Sequence, residues 1–241
     1  MKMGQSVVVT GIGLLTPLGH TAKAFDRALF EGVSAVRPEL LEMEGLDPMW
    51  LAVAPCDFDA SSVRSDSRLP LDRGTAMALT VAQDAAHQAN LADAGLDADR
   101  VGVFWGSGIG GCASFDATAA MLYGEQRRLR PTTVLTVMPN AAAAEIALHF
   151  GARGCALSYA CACASSAVAI GEAMRAIRSR WLDVAIVGGH DAMLTPGLMA
   201  SWHAMRVMAP LPTGDPSTAC RPVSAPTCTG TVVSTPGWPE P

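Results

Sequence analysis

The chain has 241 residues, of which 50% are hydrophobic and only 16% are charged, so it can bury a sizeable core within one large domain. Its formal net charge of −5 argues against a nucleic-acid partner, because proteins that bind nucleic acid carry basic surfaces. Its seven cysteines show no zinc-like spacing and indicate a reduced, cytoplasmic compartment. No run of roughly 18 apolar residues free of glycine and charge occurs, so no membrane span is predicted.

Short apolar strands alternate with longer helices along the chain. The predicted strands cover residues 6–10, 51–55, 101–105, 155–162 and 183–187. The predicted helices cover residues 21–31, 72–94, 113–124, 140–150, 164–180 and 198–208, and segment 32–70 reads as an irregular surface excursion that holds one strand. This alternation predicts an α/β fold with a mostly parallel sheet between two helix layers. The strand at 101–105 is nearly all apolar, as expected for a central strand.

The turn at residues 106–111 fits the GxGxxG pattern and follows a predicted strand. On the motif alone it suits a dinucleotide phosphate. No acidic residue ends a second strand at the offset of roughly 20 residues that ribose binding requires. The glycines therefore favour a different role, in which the turn passes close to another backbone or to a ligand.

Cys163 is the candidate nucleophile. It stands in residues 160–167, which read Ala-Cys-Ala-Cys-Ala-Ser-Ser-Ala, between a predicted strand and a predicted helix. The unpaired N–H groups and the positive dipole end of a helix N-terminus favour thiolate over thiol. A nucleophilic cysteine arises in this way without a metal. The alternative from position alone is a small, buried apolar residue, the usual role of a cysteine outside disulfides.

This segment resembles the nucleophile segment of the β-ketoacyl-acyl-carrier-protein synthases, which reads Ala-(Thr or Cys)-Ala-Cys-(Ala, Ser or Thr)-Ser before a helix that carries Ile-Gly. Ile170 and Gly171 follow here at the matching distance. The resemblance covers roughly residues 5 to 225 through further motifs at 7–13, 16–19, 101–111, 139–144 and 183–189. Each motif is weak alone, but several in the same order are specific.

The resemblance implies the N-terminal half of a thiolase-like α/β fold and a ketosynthase activity. Cys163 would accept an acyl chain from acyl-carrier protein and condense it with malonyl-carrier protein, in fatty-acid or polyketide synthesis, with no metal or redox cofactor. Ile109 matches the wall of the family's acyl channel; ordinary core packing is the alternative. Arg127, Arg128 and Arg206 match positions where the family docks its acidic carrier protein, although a short basic cluster is also typical of a solvated face.

The same resemblance implies a homodimer or heterodimer, in which residues 155–162 pair with a two-fold mate. The family's two catalytic histidines and its lysine belong to a second half beyond this chain. None of the five histidines is therefore assigned to catalysis, although His190 follows a strand end and could approach Cys163. Cys161 is assigned to packing.

We expect residues 1–222 to form the ketosynthase N-terminal domain. Residues 223–241 form a divergent tail, since four of the 16 prolines fall in its last 17 residues, and we interpret this tail as a truncation or reading-frame scar or as a Pro-rich linker. The alternative functions are a catalytically incomplete fragment and a non-catalytic partner subunit. A chain-length-factor-like subunit is disfavoured because Cys163 is present, and a thiolase because its nucleophile lies nearer the N-terminus.

Overall fold

A computed structural model of the chain describes residues 6–42, 48–54, 56–208 and 233–234. Two compact units divide the chain: the first comprises Met1–Leu14 and Phe58–Asp191, and the second comprises Leu15–Asp57 and Ala192–Pro241. The helices are α1 (Ala22–Phe30), α2 (Arg73–Gln88), α3 (Cys112–Ala119), α4 (Thr133–Val137), α5 (Ala141–Phe150), α6 (Ser165–Arg178) and α7 (Pro196–Ala204). The strands are β1 (Arg37–Leu41), β2 (Met49–Ala54), β3 (Val101–Gly106), β4 (Cys155–Tyr159), β5 (Val184–Gly189) and β6 (Val233–Ser234).

The first unit is built on a parallel sheet of three strands in the order β4-β3-β5. Every residue of β3 is buried, as predicted for a central strand. Successive side chains of a strand point to opposite faces, and the core follows that rule. Val103 and Trp105 pack against α2 and α5, whereas Phe104 packs against α6. The sheet therefore lies between two helix layers, as the alternating pattern predicted.

Local signals in the sequence fix the helix ends of this unit. Asp72 caps α2, because its Oδ1 accepts the backbone N–H of Gly74 at 2.8 Å, a strong N-cap arrangement. α2 stops at Gln88, short of the predicted end at residue 94, because Asn90 adopts a left-handed φ of +50° and a short 3₁₀ turn follows. α5 ends at Gly151, whose φ of +61° is the usual left-handed helix stop.

The second unit contains a smaller sheet, in which β1 pairs antiparallel with β2 and β6 pairs parallel with β2. Its core contains Leu41, Leu51, Val53, Met199 and Met208. α1 and α7 are capped by the threonine before each helix, and Pro196 occupies the first turn of α7, where a missing N–H costs nothing.

Some sequence predictions were wrong. Residues 6–10 form no strand and are largely exposed, because a strand needs a partner edge and none of the described strands pairs with them. β1 and α4 were not predicted, since neither carries a clear apolar period. α7 begins before the predicted start at 198 and ends before the predicted end at 208.

The divergent tail falls mostly outside the described residues. Of residues 223–241, the structure describes only 233–234, which belong to β6. In the part of the chain that is described, no helix combines the length and the apolar character needed to cross a bilayer.

Candidate active site

The carboxyl ends of β3, β4 and β5 bring three loops together in the first unit. In parallel α/β sheets this edge is where ligands bind. The loops approach so closely that two positions have no room for a side chain. A Cβ on Gly106 would lie 2.4 Å from the carbonyl carbon of Ser165, and one on Gly189 would lie 1.9 Å from the hydroxyl oxygen of Ser166. The ends of β3 and β5 therefore pack directly against the first turn of α6.

Cys163 lies in the turn between β4 and α6, two residues before the helix begins, as the sequence predicted. Ala162 adopts a left-handed φ of +51°, a conformation that costs a residue with a Cβ about 1–2 kcal/mol. The buried Ser165 holds this turn. Its hydroxyl donates to the Ala162 carbonyl at 2.6 Å and accepts from the Cys161 amide at 2.8 Å. A tight strand–turn–helix connection of this kind presents a nucleophile at the edge of a sheet.

The cysteines differ sharply in environment. Cys161 and Cys163 are exposed, so the described residues do not pack around Cys161 as expected. Burial raises the pKa of the Cys112 thiol to about 11, and the nearby carboxylates of Asp72 and Asp191 add to the shift. Burial also raises the pKa of Cys155. Cys163 thus combines exposure with a helix N-terminus, whereas Cys112 and Cys155 are held as thiols.

The glycine-rich turn at 106–111 joins β3 to α3 and is held by Asp191. One oxygen of this carboxylate accepts from the hydroxyl of Ser107 at 2.9 Å, and both of its oxygens lie 3.1 Å from the Gly108 amide. The Ile109 amide donates to it at 3.4 Å. Ile109 itself is 42% exposed, so it is not a core residue within this chain.

His190 lies beside Asp191 but points into the protein. Its Nδ1 accepts the indole N–H of Trp105 at 2.8 Å, which places the ring proton on Nε2. That Nε2 is buried and has no hydrogen-bond partner among the described residues. Burial lowers the pKa of His190, against the opposing pull of the Asp191 and Asp72 carboxylates. The ring is thus held neutral and away from solvent, which fits a packing role better than proton transfer.

A second carboxylate, Asp72, joins the helices around the site. Asp72 is 1% exposed, and besides capping α2 it accepts the Ser114 amide of α3 at 2.8 Å. One side chain therefore fixes the starts of two helices, and α3 directly follows the glycine-rich turn. The sequence indicates the α2 cap, since an aspartate before an apolar periodic run predicts an N-cap. It does not indicate the hydrogen bond to α3.

The predicted docking arginines are all exposed. Arg127 forms an ion pair with Glu125 at 3.1 Å, and Arg128 is its neighbour in the segment after α3. Arg206 belongs to the second unit. Its backbone amide donates to the backbone carbonyl of His203, just after the end of α7. Nothing in these placements tests carrier-protein docking.

Among the other histidines, His149 carries structural contacts. His149, in the last turn of α5, is paired with Asp66 through Nδ1 at 2.6 Å and contacts Gln83 at 3.1 Å. His87 is exposed on α2, as predicted. No group of three or more His, Cys, Asp or Glu side chains within the described ranges is arranged to hold a metal ion.

Sequence reasoning did not identify Ser165, Asp191 and Trp105 as site residues. Asp191 could have been found, because a polar residue directly after a parallel strand lies at the ligand-binding edge. Ser165 and Trp105 carried no such signal, since their roles depend on loops that meet only in the folded chain.

Comparison with known proteins identifies relatives for nearly the whole chain. A family model described as β-ketoacyl synthase, N-terminal domain, matches residues 4–235. Nodulation protein E of Rhizobium leguminosarum bv. trifolii is 33% identical over 228 residues, which cover 92% of this chain and 54% of that protein. The 3-oxoacyl-[acyl-carrier-protein] synthase 2 of Staphylococcus aureus (strain N315) is 30% identical over 226 residues, with the same two coverages.

Solved structures give the same fold. The AntDE:AntF complex, a type II PKS acyl-carrier protein with its ketosynthase bound to the hexaketide, matches with a TM-score of 0.74 at 22% identity, over 89% of this chain and 52% of that one. A β-ketoacyl synthase from Burkholderia phymatum STM815 matches with a TM-score of 0.68 at 24% identity, over 83% and 50%. The chain spans about half the length of these relatives. The predicted thiolase-like α/β fold is confirmed, and the chain belongs to the β-ketoacyl synthase family through that family's N-terminal domain.

Proposed function

We propose that the protein acts as a β-ketoacyl-[acyl-carrier-protein] synthase-type acyltransferase, with Cys163 as the residue that carries the acyl chain. The observation that supports this most is the Cys163 turn. An exposed thiol precedes a helix of 14 residues, in a turn held by Ser165 at the carboxyl edge of a parallel sheet. Among the five cysteines that the structure describes, only Cys161 shares its exposure, and the family pattern places the nucleophile at Cys163.

The proposed reaction has two steps. The Cys163 thiolate attacks the carbonyl carbon of an acyl thioester on acyl-carrier protein, and the carrier's thiolate leaves as the acyl–Cys163 thioester forms. Malonyl-carrier protein then loses carbon dioxide, and its carbanion attacks that thioester to release the Cys163 thiolate and a β-ketoacyl-carrier product. Backbone N–H donors stabilise the oxyanion in each attack, and we assign the Cys163 amide as one of them.

The binding partners belong to the same proposal. Acyl-carrier protein would dock through Arg127, Arg128 and Arg206, whose positive charge attracts an acidic partner. Ile109 would line the acyl pocket, since its turn lies beside the Cys163 turn. We expect a homodimer or heterodimer, for which β4 offers an edge that pairs only with β3 among the described strands, and we expect the protein in the cytoplasm.

The test is acyl transfer to the chain itself. The 241-residue protein is incubated with acyl-carrier protein thioesters, and intact and peptide mass spectrometry locates the added acyl group. We expect one acyl group on Cys163, none in Cys163→Ala, and an unchanged adduct in Cys161→Ala. Addition of malonyl-carrier protein then tests condensation. Because none of the five histidines is assigned to decarboxylation, we expect acylation but no β-ketoacyl-carrier from residues 1–241 alone.

Each other outcome has a defined meaning. Acylation of Cys161 in place of Cys163 would contradict the assignment of the nucleophile. A β-ketoacyl product from residues 1–241 alone would show that one of their own histidines takes part and would exclude the alternative of a catalytically incomplete chain. No acylation of a folded protein by any thioester would favour a non-catalytic partner subunit.

A further inference from the structure

We propose that Asp191 is a positioning residue, which holds the glycine-rich turn and with it Ile109 so that the site selects among acyl chains delivered to Cys163. This inference rests on the proposed function, because it concerns the acyl group that Cys163 would carry. Asp191 matches none of the residues that the sequence singled out, and it is not itself placed to react with a thioester.

The turn needs an external anchor. Four of the six residues at 106–111 are glycines, and glycine loses more backbone entropy on ordering than any other residue. The side chain of Ile109 is 42% exposed, so core packing does not fix its place. Hydrogen bonds must therefore hold the turn in one conformation.

Asp191 supplies those hydrogen bonds from a single carboxylate. It accepts from the Ser107 hydroxyl and from the consecutive amides of Gly108 and Ile109. Successive backbone N–H groups that converge on one anion form a compact binding concavity, and hydrogen bonds to an ionised acceptor are about twice as strong as neutral ones. The Ser107 hydroxyl also fixes the next part of the turn, because its oxygen accepts a hydrogen bond from the Gly110 amide at 2.8 Å.

Asp191 is itself fixed in place. It directly follows β5, and the backbone N–H of the preceding His190 donates to the Gly106 carbonyl at 3.0 Å. The buried His190 ring is tied to Trp105, so the main chain before Asp191 cannot shift without disturbing the core. A carboxylate on a fixed backbone can set the position of a flexible turn.

The held turn lies against the nucleophile turn. The Cβ that Gly108 lacks would stand 3.3 Å from the Asp191 carboxylate and 3.9 Å from the carbonyl oxygen of Ala162, the residue before Cys163. A shift of the turn would therefore move Ile109 relative to the thiol. Such a shift would change the contacts of an acyl chain that is long enough to reach Ile109, but it would not change those of an acetyl group.

The experiment compares Asp191→Ala and the milder Asp191→Asn with Asp183→Ala in the 241-residue protein. Asp183 is the matched control, since it precedes the opposite end of β5 and pairs with Arg100. Hydrogen exchange by mass spectrometry follows the amides of residues 107–111. The rate of Cys163 acylation is then measured with pantetheine thioesters from acetyl to dodecanoyl.

We expect exchange in the turn to be about tenfold faster or more in Asp191→Ala, as the loss of charge-assisted hydrogen bonds implies, with Asp191→Asn between it and the unaltered protein. The ratio of dodecanoyl to acetyl transfer should change several-fold in Asp191→Ala and stay unchanged in Asp183→Ala. Unchanged exchange in Asp191→Ala would overturn the proposal, and so would faster exchange with an unchanged ratio. If Cys163 of the unaltered protein accepts no acyl group, the proposed function fails, and exchange alone then decides whether Asp191 holds the turn.

Discussion

The two ends of the β4-β3-β5 sheet are built from different interactions. The amino end is closed by exposed ion pairs, Arg100 with Asp183 and Arg153 with Asp99. The carboxyl end carries the buried His190, whose Nε2 has no hydrogen-bond partner among the described residues, and the buried Ser165, which holds the Cys163 turn. Left-handed non-glycine residues and glycines without room for a Cβ occur at both ends, since Arg180 and Gly154 lie at the amino end as Ala162 and Gly106 lie at the carboxyl end. The same three strands thus end in exposed ion pairs on one side and in buried polar side chains on the other.

This difference shows where stability and function are placed. Exposed ion pairs contribute little to folding, so the ion pairs of the amino end can change with small consequences. A buried polar atom without a partner costs stability, and each one in a native structure calls for an explanation, such as a role in a functional site. The buried Nε2 of His190, which has no partner among the described residues, therefore marks the carboxyl edge independently of the resemblance to any family.

The largest expected contrast is in thiol reactivity. Cys155 lies at the amino end of β4 and Cys163 lies just beyond its carboxyl end, so these two cysteines allow the two ends of one strand to be compared directly. Only a thiolate reacts with iodoacetamide. Since the pKa of Cys112 is about 11, roughly one Cys112 in ten thousand is ionised at pH 7, and burial also disfavours ionisation of Cys155. Peptide mapping after limited labelling at pH 7 should find Cys163 modified first and Cys112 and Cys155 last.

The exposed Cys161 is the internal control in that labelling. It shares the loop and the solvent access of Cys163 but precedes the left-handed residue. Equal rates for Cys161 and Cys163 would mean that exposure alone sets reactivity and that the helix N-terminus contributes nothing. Faster labelling of Cys155 than of Cys163 in a folded sample would contradict the comparison of the two ends.

The second prediction concerns Ser165, whose hydroxyl makes two hydrogen bonds that hold the Cys163 turn. Ser165→Ala removes the hydroxyl that accepts from the Cys161 amide, whereas the Ala162 carbonyl keeps the backbone N–H of Ser165 at 3.1 Å. An amide left unpaired in a partly buried site costs about 1–3 kcal/mol. Urea unfolding should show a reduced free energy of unfolding, and labelling of Cys163 should slow because the turn is no longer fixed.

Ser179→Ala is the matched control at the other end of α6. Its hydroxyl also donates to a backbone carbonyl, that of Ala176, at 3.0 Å, but it lies at the amino end of the sheet. We expect a smaller loss of stability and no change in Cys163 labelling. An equal effect of both substitutions on labelling would show that Ser165 acts only through the overall stability of α6.

The sequence predicted the three paired strands of the first unit, but it did not predict how many neighbouring strands each one has. Apolar runs identified β3, β4 and β5, but an apolar run does not reveal how many neighbours a strand has. β3 is buried along its whole length, whereas β4, at the edge of the sheet, is exposed over its three central residues. Residues 6–10 failed for the same reason, because no described strand edge pairs with them.

The site was predicted in part. Cys163 was found because its signal is local, namely a cysteine between a strand and a helix. Asp191 and Trp105 were not found, because their roles depend on partners 80 or more positions away in the chain. Ile109 was placed by resemblance alone, and its role stays a prediction. The position of Asp191 after a parallel strand indicates the ligand-binding edge, but no spacing pattern in a single sequence reveals the distant partners on which the roles of Asp191 and Trp105 depend.

The third prediction concerns pH and His190. Burial lowers its pKa in the folded state, so the unfolded chain takes up a proton near pH 6.5 that the folded chain resists. Stability should therefore fall as pH drops below about 6.5, with a slope of at most about 1.4 kcal/mol per pH unit for one proton, and level off below the folded pKa.

Urea unfolding at pH 7, 6 and 5 checks this slope. His190→Gln keeps an acceptor for Trp105 but does not titrate, so its stability should depend less on pH than that of the unaltered protein. His87→Gln, on the exposed face of α2, should keep the full dependence. An equal slope in His190→Gln would show that the buried ring does not set the acid sensitivity of the fold.

The smallest effect is expected at the amino end, for the pair Arg100–Asp183. The hydrogen bonds from Arg100 lower the pKa of Asp183, so the pair stabilises the fold above the unfolded carboxyl pKa of about 3.8, and this contribution is lost as pH falls through the lowered value. Both side chains are substantially exposed, at 38% and 53%, so water and salt screen their attraction. Asp183→Asn and Arg100→Gln, singly and together, should each lower the Tm slightly in dilute buffer and not at all in about 1 M NaCl, where the Debye length falls to roughly 3 Å. A salt-resistant loss as large as that of Ser165→Ala would mean that the amino end is as constrained as the carboxyl end, and the difference between the two ends of the sheet would not hold.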